Sequence, residues 1–308
     1  MSGTTDVRNE PGDTVIRVQG DGVVLVGDLR EPAGPDRHGA AVLLHGGGQT
    51  RHSWRHTAHR LSEAGWAVLS LDLRGHGDSS WAPDGDYLLD AHVGDLRAAV
   101  DVLGEPPVLI GASLGGMTSL LALGADPDLA RGLVLVDVTP RTERAGTAAV
   151  TRFMRAGRDG FASLDAVADA VAAYNPHRPR PRDTGGLRKN LRHRSGRWFW
   201  HWDPRMVEEP QTAPETLDAN EHRARAAARS LRVPTMLVRG AGSDVVSPAG
   251  ARELLDLVPS AWYVEVEGTG HMVAGDDNDV FTGSLLEFMR HIADGTGADR
   301  PAGPSRPG

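Results

Sequence analysis

Gly111-Ala112-Ser113-Leu114-Gly115 follows the apolar run 107–110 and leads into an apolar segment rich in glycine and alanine. A serine between two glycines at a strand-to-helix turn sits on sharply bent backbone, with its hydroxyl raised above the sheet edge. The N–H groups that open the following helix would face any anion forming beside it. A hydroxyl becomes a strong nucleophile only when a base takes its proton, and that base needs an acid to fix its tautomer and stabilise its cation. Two later loops offer these groups. Asp244 lies in 240–248, past a strand ending at Arg239, and His271 closes Gly268-Thr269-Gly270-His271, past a strand over 262–266. Asp137 ends the strand that follows the serine's helix and is a second place for the acid.

The elements that must position these groups follow a regular rhythm. Residues 14–19 and 23–30 are β-type runs joined by the hairpin signal Gly20-Asp21-Gly22. Residues 40–44 are apolar without alternation, as in a strand covered on both faces, and run into His45-Gly46-Gly47-Gly48-Gln49. A helix over 54–64 precedes a strand over 66–71, and Arg74-Gly75-His76-Gly77-Asp78-Ser79 forms a tight polar turn after Asp72. Residues 87–103 carry Leu89, Val93, Leu96, Val100 and Leu103 on one helical face. With the strand before Ser113, its helix and a strand over 132–138, the alternation predicts an α/β fold with a mainly parallel, doubly wound sheet.

That rhythm stops over 141–230, where helices are expected at 145–156, 164–174 and 215–230 but no buried strand is apparent. It resumes with strands over 235–239 and 262–266 and helices over 249–257 and 280–292. The expected organisation is therefore a core over 14–140 and 231–293, with 141–230 as a helical cap inserted over the carboxyl edge of the sheet, where open α/β folds bind ligands. Residues 1–13 and 294–308 read as disordered tails.

The order Ser113, Asp244, His271 resembles that of the α/β-hydrolase fold superfamily, in its capped, esterase- or lactonase-like serine hydrolase form. The matching stretches are His45-Gly46-Gly47, the 72–79 turn, Gly111-x-Ser113-x-Gly115, the Asp244 loop and Gly268-x-Gly270-His271. The resemblance implies Ser113 as nucleophile, His271 as general base and Asp244 as the acid that orients it, with Asp137 the alternative acid. It also implies an oxyanion hole made by the backbone N–H groups of Leu114 and Gly47, with Gly48 or Gln49 as substitutes for the latter. A serine rather than a carboxylate nucleophile suits acyl carbons. The expected activity is hydrolysis of a carboxylic ester or lactone with a small to medium, largely apolar acyl group. Thioester hydrolysis, perhydrolysis, carbon–carbon bond hydrolysis and ligand sensing without turnover remain open on the same scaffold.

Composition limits the other classes. The 308-residue chain has no cysteine, which excludes disulfides, thiolate nucleophiles and cysteine metal sites. No apolar run approaches the roughly 18 residues of a membrane span, and the first residues lack a secretory pattern, so a cytoplasmic protein is expected. His52, His56 and His59 have helical spacing, but a solvated helix face accounts for them better than a metal, and no metal or cofactor is expected. No nucleotide loop or nucleic-acid-binding motif is present. The expected partner is a largely apolar small molecule, with the chain a monomer or homodimer.

Three further features bear on the insertion and the site. Residues 176–197 hold eight basic residues and one acid in a chain of net charge −8, either docking the insertion on an acidic body or recruiting an anionic substrate. His76 reads as a structural hydrogen-bonding residue. The aromatic run 198–202 reads as cap core, with one or two indoles available to line an acyl pocket.

Overall fold

The computed structural model describes residues 12–174, 180, 184–271 and 279–295. Residues 1–11 and 296–308 of the expected tails, and 176–179 and 181–183 of the basic segment, lie outside the described residues, as do 175 and 272–278. The first part of the chain runs β1 (Asp13–Gln19), β2 (Val24–Arg30), β3 (Gly39–Leu44), α1 (Arg55–Glu63), β4 (Trp66–Leu71), α2 (Leu89–Leu103), β5 (Val108–Ala112), α3 (Leu114–Ala125) and β6 (Gly132–Val136). The insertion contributes α4 (Arg144–Arg155), α5 (Leu164–Tyr174), β7 (Leu191–Arg194), β8 (Arg197–Trp200) and α6 (Pro214–Ser230). The sheet then resumes with β9 (Thr235–Gly240), α7 (Pro248–Leu257), β10 (Trp262–Val266) and α8 (Asp279–Ala293).

The eight-stranded sheet has the order β1-β2-β4-β3-β5-β6-β9-β10, antiparallel at β1–β2 and β2–β4 and parallel from β4 to β10. Every residue of β3, β4, β5, β6 and β9 is buried, which is why these strands read as largely apolar runs without alternation. Successive side chains point to opposite faces. Leu43, Val68, Ile110, Val134 and Val238 therefore meet Leu61 of α1 and Phe281, Leu285 and Phe288 of α8 on one side. Leu44, Leu69, Leu109, Leu135 and Leu237 join Leu96 of α2, Leu120 of α3 and Leu254 of α7 on the other.

The insertion is not purely helical. Strands β7 and β8 pair as a hairpin turned at Ser195 and Gly196, which have φ of 50° and 74°. Most of the hairpin is exposed, so the pattern of a covered strand is missing from its sequence. The Arg194 guanidinium lies 4.2 Å from the centre of the Phe199 ring, and that of Arg188 lies 5.1 Å from the centre of the Trp198 ring. No helix among the described residues is long and apolar enough to cross a membrane.

Two buried ion-pair groups tie the turn after β4 to its surroundings. Asp72 accepts the Arg51 backbone N–H at 2.7 Å and the Asp78 N–H at 2.9 Å, and also pairs with the Arg51 side chain. Arg74 holds Asp95 of α2 through both carboxylate oxygens, at 2.7 and 2.8 Å. Burial pushes the Asp95 carboxyl up and the Arg74 guanidinium opposes it, so each charge depends on the other. Asp95→Ala leaves the Arg74 charge buried and unpaired. Urea denaturation should show a loss of about 3–5 kcal/mol in that variant; an unchanged midpoint would mean that the pair carries no stability.

Candidate active site

Ser113 lies between the last residue of β5 and the first of α3, with φ of 46° and ψ of −110°. A positive φ is costly for a residue with a Cβ and persists only where packing enforces it. The neighbouring glycines supply that packing. A Cβ on Gly111 would fall 2.4 Å from the Gly115 carbonyl carbon, and one on Gly115 would fall 2.5 Å from the Leu44 carbonyl oxygen of β3. The elbow therefore forms because α3 lies directly on the ends of β5 and β3.

One strand over, Asp137 follows β6 with φ of 49° and is 1% exposed. Its Oδ2 lies 2.7 Å from His271 Nδ1, and His271 Nε2 lies 3.1 Å from Ser113 Oγ. Donor and acceptor chemistry orders this chain. The carboxylate can only accept, so Nδ1 carries the proton donated to Asp137 and Nε2 is left to accept from the Ser113 hydroxyl. Asp137 Oδ1 accepts the Gly240 N–H at 2.9 Å, and Oδ2 also accepts from Ser243 Oγ at 2.5 Å.

Asp244, expected to orient the histidine, does not do so. Asp137 holds that position, and Asp244 is exposed. The loop after β9 explains the difference. Ser243 Oγ accepts the N–H groups of Val245 and Val246, at 3.2 and 3.0 Å. This local turn aims Ser243 inward, and Ser247 then caps α7 by accepting the Gly250 N–H. The inward polar side chain from this loop is thus Ser243, which sequence reasoning passed over. Its signal was a serine two and three residues ahead of the amides it could accept from.

The glycine-rich loop after β3 approaches the serine closely, since a Cβ on Gly46 would lie 3.4 Å from Ser113 Cβ. Most of its amides are already engaged. Gly46 N–H donates to Gln49 Oε1, Gln49 N–H to the Gly46 carbonyl, and Gly48 N–H to His76 Nε2. The N–H groups of Gly48 and Gln49, the expected substitutes for Gly47, are thus both engaged within or beside the loop. Leu114 opens α3, so its N–H has no carbonyl one turn back within the helix.

Buried neutral histidines hold this loop and the turn after β4. His45 donates from Nδ1 to the Gly46 carbonyl and accepts the Leu73 N–H at Nε2. His76 accepts the Gly48 N–H at Nε2 while Nδ1 donates to the Arg74 carbonyl. His201, from the insertion, accepts the Gly77 N–H at Nδ1. In these arrangements at least one ring nitrogen is an acceptor, which requires the neutral ring. Burial pushes His45 and His201 down to about 3 and His76 well below its ordinary value. His76 is thus the structural residue its sequence context suggested. His52 lies 3.8 Å from Asp28 and His59 3.3 Å from Glu63, each beside a carboxylate.

The insertion supplies the surface above the loop. A Cβ on Gly47 would lie 3.5 Å from Met154 Sδ, and one on Gly48 would lie 3.3 Å from the Trp202 ring. Trp202 donates from Nε1 to the Met154 carbonyl and stacks on Trp200 with centroids 4.7 Å apart. Phe153 stacks on Tyr174 at 4.3 Å. Burial, then the charges of Asp244 and Asp137, push the Tyr174 hydroxyl up to about 12. Both tryptophans are buried, and Trp202 also covers the loop beside Ser113.

Comparison with known proteins places this geometry in context. Residues 40–277 match the family model described as alpha/beta hydrolase fold. A Mycobacterium tuberculosis protein named esterase Rv0045c is 32% identical over 270 residues, covering 82% of this chain and 82% of the relative. A mouse protein named sn-1-specific diacylglycerol lipase ABHD11 is 27% identical over 270 residues, covering 81% and 80%. Among solved structures, that of E-2-(acetamidomethylene)succinate hydrolase superposes with a TM-score of 0.76 at 24% identity, over 90% of this chain and 99% of that one.

The buried histidines predict acid sensitivity. His45, His92 and His201 have folded values near 3, well below their unfolded value, so the unfolded chain binds more protons between the two. Their stabilising contribution is complete above the unfolded value of about 6.5 and is lost as pH falls toward 3. Each contributes up to about 1.4 kcal/mol per pH unit within that window. Urea midpoints should decline steadily from pH 7 to pH 5, above the ordinary carboxylate range. A flat profile would mean that these rings take up protons in the folded protein as they do in the unfolded chain.

Proposed function

The chain belongs to the alpha/beta hydrolase fold family, and we propose that it is a serine ester hydrolase in which Ser113, His271 and Asp137 carry the reaction. The observation that carries this reading is the continuous contact from Asp137 Oδ2 through both His271 nitrogens to Ser113 Oγ. A serine at a strained elbow, a base on its hydroxyl and a buried acid behind the base together match the needs of acyl transfer.

His271 Nε2 takes the Ser113 proton as Oγ bonds to the ester carbonyl carbon, and the carbonyl π pair moves onto oxygen. The N–H groups of Leu114 and Gly47 receive that oxyanion, each such donor typically supplying roughly 3 kcal/mol. The tetrahedral adduct collapses when the C–O bond to the alcohol breaks and the imidazolium returns its proton to the departing oxygen. Water then attacks the acyl-serine, giving its proton to Nε2. A second collapse releases the carboxylic acid and restores the Ser113 hydroxyl. Asp137 stays ionised throughout, holding Nδ1–H and stabilising the imidazolium.

The surroundings favour a small to medium, largely apolar acyl group on an ester or lactone. Met154 and Trp202 cover the loop that carries Gly47, and Phe153 lies among the same aromatic side chains. Such a wall gains from burying hydrocarbon and offers little to a charged acyl chain.

A fluorophosphonate probe with mass spectrometric mapping should label Ser113, and His271→Ala should suppress the labelling. Ser113→Ala should keep its fold and lose at least about a thousandfold in kcat on p-nitrophenyl esters. Ester hydrolysis at the wild-type rate in that variant would overturn the reading.

A further inference from the structure

Ser243 stands beside the proposed charge chain without touching Ser113, and its hydrogen-bonding capacity is fully assigned. A serine hydroxyl has one proton to donate and two lone pairs to accept with. Val245 and Val246 donate their N–H groups to Ser243 Oγ at 3.2 and 3.0 Å. The remaining contact, 2.5 Å to Asp137 Oδ2, must therefore use the hydroxyl proton. Its length is that of a hydroxyl donating to an ionised carboxylate, and the two amides on Oγ polarise the O–H further.

Oδ2 is also the oxygen that His271 Nδ1 meets at 2.7 Å, whereas the Gly240 N–H goes to Oδ1. One carboxylate oxygen thus serves two donors. We infer that Ser243 is a positioning residue for the Asp137–His271 pair, fixing the Asp137 carboxylate and limiting how strongly it holds the protonated imidazole. This inference rests on the proposed roles of Ser113, His271 and Asp137. It also gives the loop after β9 a role other than the one expected of Asp244: it delivers a hydroxyl to an acid that sits on the neighbouring strand.

The sign of the effect follows from competition at Oδ2. The Ser243 bond is strongest when Asp137 faces a neutral imidazole and weaker once the imidazolium neutralises it. Ser243 therefore favours the neutral imidazole that acts as base, and its removal favours the protonated form. Among the described residues, Tyr174 of α5 feels the charges of both Asp137 and Asp244, the latter from the same loop as Ser243. Tyr174 stays neutral, since burial and these two carboxylates hold it up to about 12. Asp244 is exposed, in water's high dielectric.

The test compares Ser243→Ala with Ser243→Thr and with Ser247→Ala, using kinetics and the NMR titration of the His271 ring. Ser243→Ala should lower kcat about tenfold at unchanged KM, because the Asp137 carboxylate, losing a hydrogen bond of that scale, no longer fixes the His271 ring on Ser113. The acid limb of its pH–rate profile should move up by about half to one pH unit. Ser243→Thr keeps the hydroxyl and should return both toward wild type. Ser247→Ala removes the α7 cap from the same loop and should weaken folding without moving the acid limb. A Ser243→Ala profile superposing on wild type, or an equal shift in Ser247→Ala, would overturn the inference.

The NMR arm separates this inference from the function proposed above. If no ester is turned over, or if Ser113→Ala still hydrolyses esters, the catalytic reading fails. The His271 titration midpoint in Ser243→Ala, expected above that of wild type, still decides whether Ser243 acts on the pair, and coincident midpoints would refute it.

Discussion

A carboxylate that is 1% exposed has to be met by donors, and Asp137 is met by three: the Gly240 N–H, the Ser243 hydroxyl and His271 Nδ1–H. An unpaired buried charge would cost several kcal/mol, so the loops that deliver these donors are not free to lie elsewhere. Gly240 and Ser243 come from the end of β9 and the loop beyond it, and His271 comes from the loop after β10. The parallel register of β6, β9 and β10 brings those carboxyl ends to one edge of the sheet. In this way the constraint at one atom pair organises the edge, and the histidine that satisfies Asp137 is also the one that reaches Ser113.

The other half of the site rests on backbone amides rather than side-chain charge. His45, His76 and Gln49 engage polar groups of the loop after β3, whose Gly46 lies against the elbow. His201 extends the same kind of contact from the insertion to Gly77, and Met154 and Trp202 close over the glycines. The insertion is thereby tied by polar and apolar contacts to the turn after β4 and to the loop after β3. Its position bears on the shape of the site as well as on its cover.

Much of this was legible in the sequence, for physical reasons. Strands covered on both faces leave continuous apolar runs, and 40–44, 66–71 and 107–110 marked β3, β4 and β5 closely. Gly111 and Gly115 announced the elbow because no larger residue fits against β3 and α3 there. The acid was the point of failure. Asp137 and Asp244 both follow strand ends, and spacing along the chain does not report which side chain a short loop turns inward. The decisive feature was a local serine turn at Ser243, visible only once the amides of Val245 and Val246 were placed. The β7–β8 hairpin escaped for a related reason, since an exposed two-stranded ribbon lacks the periodicity that burial imposes.

The central claim is that the buried carboxylate, not the exposed one, orients His271. Rates of ester hydrolysis for Asp137→Asn and Asp244→Asn, measured side by side on folded protein, test it most directly. Asp137→Asn should lower kcat by about a thousandfold to ten-thousandfold, because an amide no longer selects the tautomer or stabilises the imidazolium. Asp244→Asn should stay close to wild type. The opposite ranking would contradict the account and return the acid to the loop after β9.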